Sequence, residues 1–258
     1  MQRPASFFYI LAQALRRVAV VTAVGMALAT IFTVWSPGTL APAAWMAQLA
    51  GALNFQRVET AATPLPPTAT PIRELPLVGL VSGHKGNDSG AVCPDGLTEA
   101  QVNLDVATRV KAGLEANGFR VDLLDEFDPR LDKYQALALV SIHNDSCEYI
   151  NDLATGFKVA GALESGARNE SARLAACLTN RYSRATGLSF HANTVTRDMT
   201  QYHSFYEIAA TTPAAIIETG FLNLDRKILT EEPQRVAQGV IDGIICYARG
   251  EPIDSASP

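Results

Sequence analysis

The chain of 258 residues carries a formal net charge of −5 at pH 7 and has a pI near 5.4. This acidic balance offers no basic stripe, which argues against a nucleic-acid partner and gives no sign of electrostatic docking to anionic polymers. The length accommodates one domain of ordinary size with shorter segments attached to it.

The first feature along the chain is an uncharged, apolar run from Val18 to Trp35. At about 1.5 Å per residue, it is long enough to cross most of a roughly 30 Å hydrocarbon core. Arg3, Arg16 and Arg17 precede the run, and the positive-inside rule leaves them in the cytoplasm. We therefore expect an uncleaved, single-pass membrane anchor with the rest of the chain outside the cytoplasm.

A cleaved signal peptide is the alternative, because Ala41-Pro42-Ala43 offers a small-x-small cleavage site. The apolar run is longer than the roughly 7 to 15 residues of a usual signal core, which favours the anchor. Both interpretations deliver the remainder of the chain to the same extracytoplasmic compartment.

The composition changes abruptly between residues 60 and 71, which are rich in proline, threonine and alanine. Prolines remove backbone donors and the segment has no apolar period, so we expect an extended, semi-rigid spacer. The predicted organisation is a cytoplasmic tail and anchor (1–35), a juxtamembrane segment and linker (36–74), a globular domain (75–250) and a tail (251–258).

Apolar, strand-like runs alternate with helical patterns through the globular domain. Such alternation predicts an α/β fold in which one sheet carries helices on both faces. The predicted strands are Leu75–Val81, Arg120–Leu124, Ala136–Ile142, Gly156–Ala160, Thr194–Arg197 and Ala214–Ile217. The predicted helices are Thr98–Asn117, Glu170–Ala185 and Glu232–Arg249.

Two histidines and two glutamates stand at the ends of these elements. His84 and His143 each follow a strand-like run, so both should emerge at carboxyl ends of strands, where open α/β sheets build their sites. Glu218 follows a third such run, and Glu99 opens a helical pattern. Two imidazoles and one carboxylate from separate elements are the usual make-up of a catalytic zinc site.

Each of these residue types also has a structural interpretation. His191 and His203 lie outside the short segments that contain His84, Glu99, His143 and Glu218, and we expect both to be hydrogen-bonded histidines rather than ligands. Glu99 could complement a helix dipole, and Glu218 could be an ion-pair partner. The presence of two histidines with a carboxylate favours ligation over these alternatives.

The four segments resemble motifs of the zinc-dependent N-acetylmuramoyl-L-alanine amidases, which cleave bacterial peptidoglycan. They occur in the order typical of that family, and the resemblance extends from about Leu75 to Arg249. The segments are Gly83-His84-Lys85-Gly86-Asn87-Asp88-Ser89-Gly90-Ala91, Gly96-Leu97-Thr98-Glu99, Ser141-Ile142-His143-Asn144 and Glu218-Thr219-Gly220-Phe221-Leu222.

The resemblance implies a mixed central sheet and one Zn²⁺ held by His84, Glu99 and His143, with Glu218 as the catalytic carboxylate. It also implies hydrolysis of the amide between N-acetylmuramic acid and the L-alanine of the peptidoglycan stem peptide. Zinc would act as a Lewis acid, and Glu218 as general base and then general acid. Lys85 departs from the family pattern and adds a cation beside a ligand, and the residues after His143 depart from it as well.

Four cysteines in an extracytoplasmic domain permit two disulfides. Cys93 and Cys147 both lie near the expected metal, whereas Cys177 and Cys246 lie on two helical patterns. We expect Cys93 to pair with Cys147 and Cys177 with Cys246, although the sequence does not fix the connectivity. A cysteine ligand is the weaker hypothesis, because two histidines and Glu99 already fill three positions.

Two other functions fit the same residues. A zinc peptidase or deacylase acting on another envelope amide would use the same ligands and mechanism. A catalytically silent peptidoglycan-binding domain is disfavoured, because the chain has all four residues that catalysis would need. The expected partners are peptidoglycan and, through the N-terminal helix, the membrane, and the sequence does not identify an activating protein.

Overall fold

The structure is a computed structural model that describes Arg16, residues 18–26 and residues 74–253. The chain divides into two compact units, Met1–Thr70 and Pro71–Pro258. In the first unit, residues 18–26 are helical and their side chains are exposed. All the elements named below belong to the second unit.

The predicted membrane anchor, Val18 to Trp35, continues beyond residue 26 and so lies partly outside the described residues. The predicted linker up to residue 73 and the last residues of the chain, 254–258, also lie outside them. Within the described part of the chain, no helix has both the length and the apolar character that crossing a membrane requires. The anchor therefore stays a prediction.

Five β-strands form the centre of the second unit, as far as the structure describes it. They are β1 (Leu77–Ser82), β2 (Arg120–Leu124), β3 (Ala138–Asp145), β4 (Lys158–Gly161) and β5 (Ala214–Phe221). Their order in the sheet is β2-β1-β3-β5-β4. All neighbours are parallel except β4, which pairs with β5 in the antiparallel direction. The sheet is therefore mixed, as predicted.

Three long helices and several short ones surround this sheet. The α-helices are α1 (Glu99–Ala116), α2 (Arg168–Thr186), α3 (Arg197–Thr200), α4 (Ser204–Glu207), α5 (Arg226–Glu231) and α6 (Pro233–Arg249). Two 3₁₀ turns lie at Pro129–Leu131 and Ala192–Thr194.

Alternate strand residues divide the core between the two faces of the sheet. On one face, side chains such as Val140 and Ile217 pack against the long helices α1, α2 and α6. On the other face, Leu139 and Ile216 belong to a second cluster with residues of α3, α4 and the first 3₁₀ turn. Helices flank both faces as predicted, but the three long helices share one face, so short helices and loops cover the other.

The predicted strand at Thr194–Arg197 is wrong. Thr194 ends a 3₁₀ turn, and Arg197 begins α3. The Thr196 side chain caps α3 by accepting a hydrogen bond from the Met199 N–H, and Met199 is buried. Threonine and valine in this segment have high β-strand propensity. The hydroxyl of Thr196 nevertheless accepts a hydrogen bond from a backbone N–H of the helix, so the segment caps a helix rather than forming a strand. The other predicted strands and helices are present, with ends shifted by a few residues.

A capping box fixes the start of α1. The Thr98 side chain accepts a hydrogen bond from the Gln101 N–H at 3.3 Å, and the Gln101 side chain accepts one from the Thr98 N–H at 3.1 Å. A cap of this kind is worth about 1 kcal/mol. It places Glu99 at the first position of the helix, which confirms the predicted location of this carboxylate.

Two disulfides join parts of the chain that are distant in sequence. Cys93 pairs with Cys147 across a Cα separation of 5.3 Å, and Cys177 pairs with Cys246 across 5.8 Å. The second bond links α2 to α6. Both predicted pairings are confirmed, and the pairing of Cys93 and Cys147 leaves neither of them as a free thiolate ligand.

Candidate active site

The side chains of His84, Glu99 and His143 meet at the carboxyl edge of the sheet. His84 follows the end of β1, His143 lies in the last part of β3, and Glu99 opens α1. One potential ligand atom from each residue lies within 4.8 Å of the others. The structure thus brings together the three residues that were predicted as metal ligands.

Glu99 lies between the two imidazoles and faces each with a different oxygen. Its Oε2 is 3.2 Å from His84 Nε2, and its Oε1 is 3.3 Å from His143 Nδ1. The backbone N–H groups of Ala91 and Asn144 also donate to this carboxylate, at 3.1 and 3.2 Å. Burial acts to raise the pKa of Glu99, but hydrogen bonds from both histidines and Ala91 hold it well below its usual range. The buried carboxylate is therefore held in its anionic form, which suits it to bind a cation.

His84 has a left-handed backbone, with φ at 66°. For a non-glycine residue this conformation costs on the order of 1–2 kcal/mol, so the surrounding contacts must hold it. Its Nδ1 lies 2.6 Å from Asp88 Oδ1. The hydrogen bond with Glu99 raises the pKa of His84 to about 9, against the effect of burial and with a further contribution from Asp88. The two carboxylates thus favour a positive charge at this position.

Two motif glycines allow the ligand side chains to approach one another. A Cβ at Gly83 would lie 2.4 Å from His143 Cε1. A Cβ at Gly90, where φ is +59°, would lie 2.5 Å from Glu99 Oε2. Neither position can carry a side chain unless His143 or Glu99 moves, so the packing of these two side chains explains both glycines.

The donor set fits zinc. Two imidazole nitrogens and one carboxylate oxygen suit this ion, whereas calcium and magnesium favour all-oxygen shells. The second nitrogen of each ring also has a partner: Asp88 for His84, and the Tyr202 hydroxyl, 3.2 Å from Nε2, for His143. Partners of this kind orient the imidazoles that bind metals. His84 Nε2 and His143 Nδ1 are thereby left facing Glu99.

Glu218 lies in β5 directly opposite His143 of β3, so the two side chains share one face of the sheet. Burial raises the pKa of Glu218 to about 7, with His143 opposing this shift and Glu99 adding to it. Glu218 Oε2 is inaccessible to solvent and accepts no hydrogen bond from any residue that the structure describes. A carboxyl group that titrates near neutrality and has a free acceptor atom suits a general base.

Charges at the rim of this site are paired. The Lys85 ammonium contacts Asp125, and Asp145 contacts the buried Lys158. The cation that Lys85 was expected to add beside His84 is therefore offset by a neighbouring carboxylate. Asp145, which follows the second histidine, likewise has a partner in β4.

His191 and His203 do not join the cluster. His191 Nδ1 lies 3.3 Å from Thr194 Oγ1. His203 Nδ1 lies 2.8 Å from Glu207, and its Nε2 lies 3.0 Å from Glu126. Both are hydrogen-bonded histidines, as expected.

Glu126 and Tyr202 also belong to the site, although no motif identified them. Tyr202 donates to Glu126 Oε1 at 2.6 Å. Burial acts to raise the pKa of Glu126, but the hydrogen bond from His203, the nearby His143 and the bond from Tyr202 lower it to about 2. Glu126 follows the end of β2, so an acidic residue after another strand was the available sequence signal. Tyr202 had no such signal.

Residues 78–246 match the model of the N-acetylmuramoyl-L-alanine amidase family. This stretch covers most of the chain and contains all four segments of the site, and the chain belongs to this family. The mixed sheet and the His-Glu-His cluster described above agree with this class of protein.

The chain is also similar to individual amidases. It is 31% identical over 161 residues to N-acetylmuramoyl-L-alanine amidase AmiC of Neisseria meningitidis, a match that covers 57% of this chain and 38% of that relative. The chain therefore spans well under half the length of this relative.

Solved structures of amidases have the same fold. N-acetylmuramoyl-L-alanine amidase AmiC2 of Nostoc punctiforme is 27% identical with a TM-score of 0.51, and the match covers 67% of this chain and 97% of that one. The CwlD amidase of Clostridioides difficile, solved in complex with the GerS lipoprotein, is 21% identical with a TM-score of 0.55. That match covers 68% of this chain and 100% of CwlD, and at this identity it supports the fold alone.

Proposed function

We propose that this protein is a zinc-dependent amidase that hydrolyses the amide between N-acetylmuramic acid and the L-alanine of the peptidoglycan stem peptide. The single observation that carries the proposal is the position of Glu218 beside the His84-Glu99-His143 cluster, on the same face of the sheet. Membership of the amidase family supports the choice of substrate.

Zinc, when bound by His84, Glu99 and His143, supplies Lewis acidity for the scissile carbonyl and makes water a nucleophile near neutral pH. The atoms that would hold the ion are Nε2 of His84, Nδ1 of His143 and the carboxylate oxygens of Glu99, which face one another. Glu99 contributes a negative charge, while its backbone donors and both histidines fix its orientation.

Glu218 moves the proton. Its carboxylate accepts a proton from the attacking water and then delivers that proton to the departing amine of L-alanine. In the metal-free fold, burial raises the pKa of Glu218 to about 7, so this position favours the protonated form that the second step requires. The strand pairing with His143 keeps the base close to the metal ligands throughout.

Product analysis tests this function. The zinc-loaded, full-length chain is incubated with purified peptidoglycan, and the soluble fragments are identified by chromatography and mass spectrometry. An amidase releases whole stem peptides that begin with L-alanine and leaves the lactyl groups on the glycan. Cleavage within the peptides instead would indicate an envelope peptidase with the same metal site.

A silent peptidoglycan-binding domain is the rival from a different class. It needs neither a base nor a complete ligand set, yet all four residues are present and correctly grouped. Binding to peptidoglycan without release of any fragment, by protein with a full complement of zinc, would establish that rival.

The proposed location is outside the cytoplasm, with the chain held in the membrane by Val18 to Trp35 or released after cleavage near Ala43. The arginines before the apolar run support this orientation. Two disulfides also fit an oxidising compartment. External protease added to intact spheroplasts should digest the globular domain, and protection of that domain would contradict the proposed orientation.

A further inference from the structure

The buried carboxylate of Glu126 contacts both histidines of the cluster and two residues outside it. Its Oε2 accepts a hydrogen bond from the His84 backbone N–H at 2.6 Å and lies 3.6 Å from His143 Nε2. Its Oε1 accepts from the Tyr202 hydroxyl at 2.6 Å and lies 3.0 Å from His203 Nε2. Three hydrogen-bonding groups and, at a longer distance, the His143 imidazole therefore face one side chain that is 6% exposed.

Glu126 has enough acceptor sites for all of these groups. An ionised carboxylate offers about four lone-pair sites and no donor, so the groups can point at it without conflict. A neutral amide in its place would present two N–H donors to the same groups. The position thus requires a carboxylate rather than any polar side chain of that size.

This arrangement orients His143 for metal binding. Tyr202 uses its hydroxyl proton to donate to Glu126, so the same oxygen can only accept from His143 Nε2, 3.2 Å away. A neutral His143 that binds a metal through Nδ1 would carry its proton on Nε2, where this acceptor lies. Nδ1 is the nitrogen that faces Glu99.

The same carboxylate also holds the unusual backbone of His84. Besides the bond from the His84 N–H, the Glu126 N–H donates to the Lys85 carbonyl at 2.9 Å. The Lys85 and Asp125 side chains pair beside these bonds. Hydrogen bonds and an ion pair thus link residues 84–85 to residues 125–126, and these contacts stabilise the left-handed conformation of His84.

We propose that Glu126 is a positioning residue that sets zinc affinity by orienting the His143 ring through Tyr202 and by holding the backbone of His84. The inference rests on the proposed zinc site and deepens it. Glu126 acts through the two histidines and is not one of the three side chains proposed to bind the ion.

The test compares zinc affinity in full-length variants by competition with a chromophoric chelator. Glu126→Gln should weaken zinc binding about 10- to 100-fold, which is the usual effect of losing a partner of a metal-binding histidine. Glu207→Gln is the matched control, because Glu207 contacts His203 Nδ1 and neither metal-binding histidine. The control should retain the zinc affinity of the unmodified chain.

Tyr202→Phe gives a second test in case Glu126→Gln folds poorly. It removes the hydroxyl between His143 and Glu126 but leaves the carboxylate on the His84 N–H. We expect weaker zinc binding than in the unmodified chain and stronger binding than in Glu126→Gln. Melting of each metal-free variant identifies any that do not fold.

A readout without zinc separates this inference from the proposed function. Amide hydrogen exchange of the metal-free protein, followed by NMR, should find the His84 N–H well protected in the unmodified chain and in Tyr202→Phe, and less protected in Glu126→Gln. Unchanged protection of this N–H in Glu126→Gln, together with unchanged zinc affinity in both variants, overturns the inference, whatever the enzyme cleaves. Failure of the unmodified chain to bind zinc overturns both the inference and the proposed metal site. Zinc binding that weakens as expected, in a chain that cleaves no muramoyl amide, overturns the proposed function alone.

Discussion

His143 of β3 and Glu218 of β5 are direct partners in the parallel register of the sheet. Paired residues on neighbouring strands point to the same face, so this one register places the imidazole proposed to bind zinc beside the carboxylate proposed to move the proton. A shift of the register by one residue would turn Glu218 to the opposite face. The reaction geometry is therefore built into the pairing of two buried strands.

Glu218→Gln should stabilise the metal-free protein at alkaline pH. Because the pKa of Glu218 is about 7 in the fold, above its ordinary 4.5, folding loses stability as pH rises from about 4.5 to about 7, and the loss is complete above that. Glutamine does not ionise and avoids the loss, which is on the order of 3 kcal/mol. At pH 8 the metal-free Glu218→Gln variant should therefore melt at a higher temperature than the unmodified chain. The difference between the two melting temperatures should shrink near pH 5. An equal difference at both pH values would contradict the raised pKa.

His84→Ala and His143→Ala should each lose zinc and activity together, since each removes one of three ligands. Glu99→Gln should fold and bind zinc more weakly, because a neutral amide is a poorer ligand than a carboxylate. Elemental analysis of purified chains measures the metal content. A normal zinc content in either histidine variant would show that the residue is not a ligand.

Gly90→Ala should weaken zinc binding more than a glycine change elsewhere with the same backbone cost. The new Cβ would lie 2.5 Å from Glu99 Oε2, so the carboxylate would have to leave its position between the histidines. Gly96→Ala is the control, because φ there is +90° but no atom lies within 4 Å of a new Cβ. Similar zinc affinity in both variants, measured by chelator competition, would show that crowding of Glu99 has no effect.

The two disulfides should affect the protein differently. Removing either one by a double substitution to alanine should destabilise the fold by about 2–4 kcal/mol. Loss of Cys93–Cys147 should also weaken zinc binding, because Cys93 lies between Gly90 and Glu99 and its N–H bonds the Leu97 carbonyl. Loss of Cys177–Cys246, which joins two helices, should leave zinc affinity unchanged. Denaturant unfolding and chelator competition measure the two effects, and the reverse order of zinc affinities would contradict this explanation.

The metal cluster could be predicted from the sequence because each of its residues stands in a short, local motif. Thr98 and Gln101 indicate the helix that begins at Glu99, and apolar runs predict the strands that position the two histidines. Glu126 could not be predicted in the same way, because it lies 42 positions from His84 and 76 from Tyr202. Such contacts depend on the packed fold rather than on local pattern.

The sequence also does not predict which face of the sheet each helix covers. The periodic patterns identify α1, α2 and α6, but a helical period does not specify which face of the sheet a connection crosses. The false strand at Thr194–Arg197 has a related cause, since β-branched residues favour strands unless a side chain caps a helix locally. In both cases tertiary context decides between structures that the local sequence permits.

The most direct test of the proposed reaction is the rate at which Glu218→Gln cleaves the muramoyl amide, measured beside the unmodified chain at equal zinc content. The variant keeps the metal ligands and loses the group that accepts a proton. We expect normal zinc binding and a rate lower by about 10²- to 10⁴-fold, the usual contribution of general acid and base catalysis. Cleavage by Glu218→Gln at the unmodified rate would contradict the assignment of Glu218 as the catalytic carboxylate.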